Sequence, residues 1–269
     1  MAEPSESNVV IESSSSRVSV RVEDRIARFS LNNPPLNVLT LEMIEAIATG
    51  INEVAREQSL CAILFEPGPK SRAFCAGIAV DEQLPDSAYQ FLEAYHGLFR
   101  DLDFYSKPTI AVVPDAALGA GCELAAFCDI VIASDRARFG LPEIKMGLFP
   151  PLACVYFPRI VGQKRAREMV LTGSLLSAAE AQQIGLVSYV VPDDQIAAKT
   201  SEVLDRFRSL SASVLETARR ALVEASGLPI EEGLARVEDI YLNQLMSLKD
   251  PGEGLIAFRE KRAPNWKHK

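Results

Sequence analysis

The chain has 269 residues, 48% of them hydrophobic and 24% charged, with a formal net charge of −8. That length and composition suit one substantial core with a smaller appendage. The acidic balance argues against nucleic acid as a partner, and no apolar run approaches the roughly 20 residues needed to span a bilayer, so no membrane association is expected. The five cysteines are odd in number, lie mostly in apolar runs and lack Cys-x-x-Cys spacing, which predicts reduced thiols that pack rather than pair. Residues 1–16, rich in serine and glutamate, lack the basic start and apolar stretch of a targeting signal. They read as a flexible N-terminal tail on a cytoplasmic protein.

From residue 18 the pattern becomes regular. Residues 18–31 alternate as two antiparallel strands turning at Glu23-Asp24, and Asn32-Asn33-Pro34-Pro35 ends the hairpin. Thr40 caps a helix over residues 40–56, with Ile44, Ile47, Ala48, Ile51 and Val54 on one face. Residues 62–65 form a buried strand. The following segment, 73–80, carries Gly77, which lets the backbone approach a ligand closely. Residues 85–103 read as a helix capped near Asp86 or Ser87, with Phe91, Leu92, Tyr95, Leu98 and Phe99 on its apolar side. Residues 109–113 are the next buried strand. Gly119 and Gly121 then allow a tight turn into a short helix over residues 120–128, which sets Glu123 on a first helical turn. The helix dipole favours its charge while the apolar neighbours oppose it, so the direction of its pKa shift is left open. A further buried strand covers residues 130–133, and Glu143 follows Pro142, whose ring fixes the backbone that aims it. Strand, helix and strand recur in this order, which predicts a parallel sheet of an α/β protein.

Beyond Glu143, Phe149-Pro150-Pro151 stiffens what would be the wall of a pocket. Ser177-Ala178-Ala179-Glu180 is a capping box opening a short helix that ends at Gly185. Pro192 marks the passage to a helical C-terminal part, with helices over residues 196–210, 214–225, 230–248 and 252–261. These helices carry apolar faces with no sheet of their own to cover, a pattern that suits packing between subunits.

Several chemistries are excluded by the residues themselves. A dinucleotide fingerprint would need glycine where Leu124 stands, and Glu123 sits where a pyrophosphate should lie. The two histidines, His96 and His268, have no useful neighbours for a hydrolase triad or a zinc site, and Cys75 lacks a histidine partner. Neither metal nor redox cofactor is expected. Carboxylates, backbone amides and water remain.

Five motifs in order carry a resemblance: Ala73-Phe74-Cys75-Ala76-Gly77; residues 114–124 with Cys128-Asp129; Phe139-Gly140-Leu141-Pro142-Glu143 with Gly147; Leu171-Thr172-Gly173 with residues 181–187; and residues 253–262. Together they resemble the enoyl-CoA hydratase/isomerase (crotonase) superfamily over nearly the whole chain. The resemblance implies a spiral of repeated ββα units over residues 17–192 that holds the CoA-thioester site. It also implies a helical region over residues 193–269 that builds a homotrimer or homohexamer. It implies an acyl-CoA hydratase with Glu123 and Glu143 catalytic and the Ile78 and Ala120 amides forming an oxyanion hole. Coenzyme A would enter as part of the substrate, with no separate cofactor. Ala76, Phe149, Pro150 and His96 would contact the substrate, although a lone helical histidine is more often a packed or surface residue. Phe258 and Lys261 match positions that reach a neighbouring subunit's CoA. The chain departs from the family where Ala79 replaces a common aspartate and Ala120 a common glycine. Ala79 puts the loop's local hydrogen bonding in question, with Asp81 a candidate substitute.

A narrower resemblance, carried by residues 35–39, 95–100 and 149–151, is to cyclohexa-1,5-dienecarbonyl-CoA hydratases, and points to a compact cyclic dienoyl thioester. Two other readings stand beside it. One is an isomerase or dehydratase acting on another acyl-CoA, although two glutamates favour water chemistry. The other is a non-catalytic acyl-CoA- or RNA-binding scaffold, against which the intact carboxylates and the acidic charge speak.

Overall fold

A computed structural model describes residues 9–11 and 15–269. The β-branched and aromatic runs become strands of a seven-stranded sheet: β1 (Val9–Ile11), β2 (Val18–Glu23), β3 (Ile26–Leu31), β4 (Ala62–Pro67), β5 (Thr109–Val113), β7 (Ile130–Ser134) and β10 (Tyr189–Val191), adjacent in that order. The first two pairings are antiparallel and the remaining four parallel. A second, three-stranded sheet joins β6 (Ala117–Leu118), β8 (Arg138–Gly140) and β9 (Leu175–Ser177). Parallel bridges from Leu39 to Ile78 and from Cys75 to Ala117 extend the same side-by-side arrangement to earlier turns of the chain. Each pass therefore leaves the large sheet, touches this second layer, and returns through a helix. That is the repeated ββα path expected from the sequence.

Most of the expected tail lies outside the described residues, but residues 9–11 are a strand paired with β2. Three consecutive β-branched residues supply the edge, a signal lost when the segment is read by its average composition.

Helices α1 (Leu41–Val54), α2 (Ala88–Tyr105) and α3 (Ala120–Phe127) follow β3, β4 and β6. Thr40 caps α1 as predicted, its side chain accepting from the Met43 amide at 3.4 Å. Met43, Ile47 and Ile51 are buried in one core cluster with Val20, Phe29 and Phe65 of the sheet. Helices α4 (Pro151–Ile160) and α5 (Gln163–Thr172) come next. Then α6 (Ala178–Gln183) opens with the Ser177–Glu180 capping box.

The C-terminal helices are α7 (Ile196–Arg208), α8 (Ala212–Ala225), α9 (Ile230–Asp239) and α10 (Asp250–Glu260). Two differ from expectation. Val203 and Leu204 of α7 pack on Ile26, Leu64, Ile110 and Ile132, so α7 does cover the sheet. Parallel strands are buried on both faces and need a second layer, but helical periodicity does not say what that layer meets. The single helix expected over residues 230–248 instead breaks after α9 into a wider turn, Ile240–Gln244, and a tight one, Leu245–Ser247. No helix among the described residues is long and apolar enough to cross a membrane.

Candidate active site

Two short segments meet where the passes of the chain touch. Cys75 donates its amide to the Ala116 carbonyl at 3.3 Å, and Leu118 donates to the Cys75 carbonyl at 2.9 Å. This seats residues 75–78 against residues 116–120, just before α3. Gly121 makes the approach possible, because a Cβ there would lie 2.2 Å from the Cys75 carbonyl oxygen. Gly119 adopts φ +53° at the helix entrance, and a Cβ on it would lie 2.5 Å from Oε1 of Glu143. The glycines thus do more than turn the chain: one admits a neighbouring backbone and the other a carboxylate.

Glu123 lies on the first turn of α3 and is 1% exposed. Its Oε1 accepts the Ala153 amide at 2.7 Å and its Oε2 the Tyr95 hydroxyl at 3.0 Å. Burial pushes its carboxyl up to about 7, and the charge of Glu143 adds to this; the two donors pull the other way. Glu143 stands on a single tight turn, Pro142–Met146, with the proline at its start, and is 7% exposed. Its Oε2 is buried without a hydrogen-bond partner among the described residues. Burial raises its carboxyl above the usual range as well.

Both glutamates line one cavity of about 90 Å³, together with Ile78, Phe91, Tyr95, Phe149 and Pro150. Among the described residues the amides of Ile78 and Ala120 find no protein acceptor; Ile78 lines the cavity, whereas Ala120, the first residue of α3, does not. Phe149 is largely exposed and Pro150 buried, so together they span the rim and the wall. The loop carrying Ala79 is tied by other means than a carboxylate at that position. Ala79 donates to the Leu39 carbonyl at 2.9 Å, and Gln83 Nε2 donates to the Ile78 carbonyl at 3.2 Å. Glu82 Oε1 accepts the Leu41 amide at 2.9 Å, while Asp81 stays exposed.

Other sequence candidates fall outside the cavity. Ala76 lends its amide to the Leu36 carbonyl at 3.0 Å and is a brace of the loop. His96 follows Tyr95 on α2, is half-buried, and its Nε2 finds no hydrogen-bond partner among the described residues; it does not line the cavity. A side chain one step along a helix points about 100° away, so Tyr95 faces the glutamates and His96 does not. Phe258, 86% exposed, and Lys261 belong to α10 and its end, and neither lines the cavity of this chain. Tyr95, by contrast, was legible only as an apolar residue of its helix. A buried tyrosine hydroxyl needs a partner, which was the available signal. The cysteines are free thiols, four of them buried, and burial pushes Cys75 up to about 12, so it stays neutral.

Residues 21–269 match the family model described as enoyl-CoA hydratase/isomerase. The chain is 35% identical over 258 residues to the cyclohexa-1,5-dienecarbonyl-CoA hydratase of Thauera aromatica, covering 96% of this chain and 98% of the relative. It is 33% identical over 255 residues to a probable enoyl-CoA hydratase of Mycobacterium tuberculosis, covering 94% and 98%. The crystal structure of an enoyl-CoA hydratase from Geobacillus kaustophilus superimposes with a TM-score of 0.90 at 25% identity, covering 97% of this chain and 100% of that one.

Proposed function

Because the chain belongs to the enoyl-CoA hydratase/isomerase family, we propose that it adds water to the double bond of an α,β-unsaturated acyl-CoA thioester. One observation carries the reading: two buried glutamates and Ile78 line the same small cavity. Glu123, with a donor on each oxygen, is suited to hold negative charge and accept a proton from water as the oxygen attacks the β-carbon. The electron pair of the double bond moves onto the thioester carbonyl, whose developing charge the Ile78 and Ala120 amides receive. Glu143, whose Oε2 has no donor among the described residues, is suited to carry the proton that passes to the α-carbon, and the carbonyl reforms. Burial raises both carboxyls and the Glu143 charge adds to the rise at Glu123, which favours a state with one acid protonated and one ionised, the state these two roles require.

Glu123→Gln and Glu143→Gln should each lower kcat for hydration by about 10²–10⁴, read from loss of the enoyl-thioester absorbance. Wild-type rates in both would overturn the assignment. We read the acyl group as a compact cyclic dienoyl one. Phe149 and Pro150 stiffen a cavity of about 90 Å³, and the Thauera aromatica relative is named for such a substrate. Crotonyl-CoA and cyclohexa-1,5-dienecarbonyl-CoA assayed side by side test this; a higher kcat/KM on crotonyl-CoA would sink the cyclic substrate and leave the hydratase standing. Leu222, Ile230, Leu234, Leu242 and Phe258 are exposed on the C-terminal helices and the turn after α9. This suits a homotrimer or homohexamer in which Phe258 and Lys261 approach a neighbour's CoA.

A further inference from the structure

The Tyr95 hydroxyl sits 2.9 Å from the Ala120 carbonyl and 3.0 Å from Oε2 of Glu123, inside a site where the tyrosine is 1% exposed. A phenol has one hydrogen and two acceptor lone pairs, so it cannot donate to both oxygens at once. With Glu123 ionised, Tyr95 donates to the carboxylate. With Glu123 protonated, the acid donates to the phenol oxygen and Tyr95 turns its hydrogen to the Ala120 carbonyl. Each state is fully hydrogen-bonded and no heavy atom needs to move.

From this geometry we infer that Tyr95 is a positioning residue for proton transfer. Its hydroxyl rotor holds the Glu123 carboxyl in one place through both protonation states and keeps the ionised form accessible at neutral pH. The inference rests on Glu123 being the base proposed above. The ring is fixed by stacking on Phe91, with centroids 5.7 Å apart, and by an edge contact to Phe99 at 4.9 Å, so the hydroxyl has little choice of place. Tyr95 does not itself give up its proton, since burial and the Glu123 charge hold it well above the usual tyrosine range. The other titratable groups around the pair are Glu143 from the 142–146 turn, Cys122 on α3, Cys154 on α4, Cys75 beside Tyr95, Glu82 on the cavity wall, and His96, whose ring lies 6.0 Å from that of Tyr95 and which burial and Arg100 push below the usual histidine range. The three thiols are all raised by burial and stay neutral where the carboxyls titrate. Among these groups Glu123 is the one pushed up to about 7, and the protonated-carboxyl band reports on it.

The test is Tyr95→Phe, which keeps the ring and removes only the oxygen. Infrared difference titration of the protonated-carboxyl stretch, without substrate, reads the midpoint directly, and Glu123→Gln identifies the band. Losing a donor to the carboxylate should raise the midpoint by about 0.5–1 pH unit. The acidic limb of kcat/KM for hydration should move by the same amount, with kcat down roughly tenfold or more at pH 7. A midpoint and limb unchanged in a folded Tyr95→Phe protein would overturn the inference, whether or not activity falls. If Tyr95→Phe moves the infrared midpoint while Glu123→Gln hydrates at the wild-type rate, the base assignment fails and the tyrosine's hold on the carboxyl stands.

Discussion

Glu123 and Glu143 are the same side chain on the walls of the same cavity, yet their surroundings are opposite. Glu123 has an amide on one oxygen and a phenol on the other; Glu143 lies against Gly119 with one oxygen unpartnered. Burial lifts both carboxyls, so burial alone does not distinguish them. What differs is the supply of donors, and donors favour charge. The comparison teaches that a matched pair of acids can be given different electrostatic surroundings by a few hydrogen bonds from elements that neither acid belongs to.

The strongest way to probe it is through stability. The folded pKa of Glu123 is raised from 4.5 to about 7, so the folded protein holds this proton more tightly than the unfolded chain. The stabilisation is complete below pH 4.5 and is lost as pH rises through 7. Glutamine can keep both hydrogen bonds, accepting from the Ala153 amide and donating to the Tyr95 oxygen, without a charge to bury. Glu123→Gln should therefore equal the wild type near pH 4.5 and exceed it by about 3 kcal/mol at pH 8, roughly 6–12 °C in melting midpoint. A difference that stays constant with pH would mean that Glu123 is not the strained acid described.

A smaller effect addresses the other glutamate. Gly119→Ala would place a methyl group on Oε1 of Glu143 and force a non-glycine residue into a left-handed φ. It should cost about 1–3 kcal/mol of stability, and displacement of the acid should lower kcat more than it raises KM. Calorimetry and steady-state kinetics measure the two parts. Retained kcat would show that the seating of Glu143 on Gly119 does not matter to the reaction.

Much of the fold could be read from local pattern. The strands over residues 18–31, 62–65, 109–113 and 130–133, the Thr40 cap and the Ser177–Glu180 box all formed where their signals lie, because each depends on residues within a few positions. The sites of Glu123, Glu143 and Ile78 were reachable through motifs. His96 and Ala76 were not separable from true cavity residues in that way, since a one-residue change of helical direction or an amide already in use leaves no mark on the sequence. The strand at residues 9–11 was hidden by its serine-rich surroundings, and the break after α9 by a continuous apolar period.

By itself the sequence determined the alternation of strands and helices over residues 18–133, the acidic balance of the chain, and the presence of two glutamates after glycine- and proline-set turns, since all of these are local or compositional. Only the tertiary structure decided that Tyr95 and Ala153 hold Glu123, that Gly119 makes room for Glu143, and that α7 closes the far face of the sheet. Those contacts join residues 28 and 30 positions apart in the first case and separate elements in the others. Such pairings are set by how whole layers pack, a quantity that no window of the sequence contains.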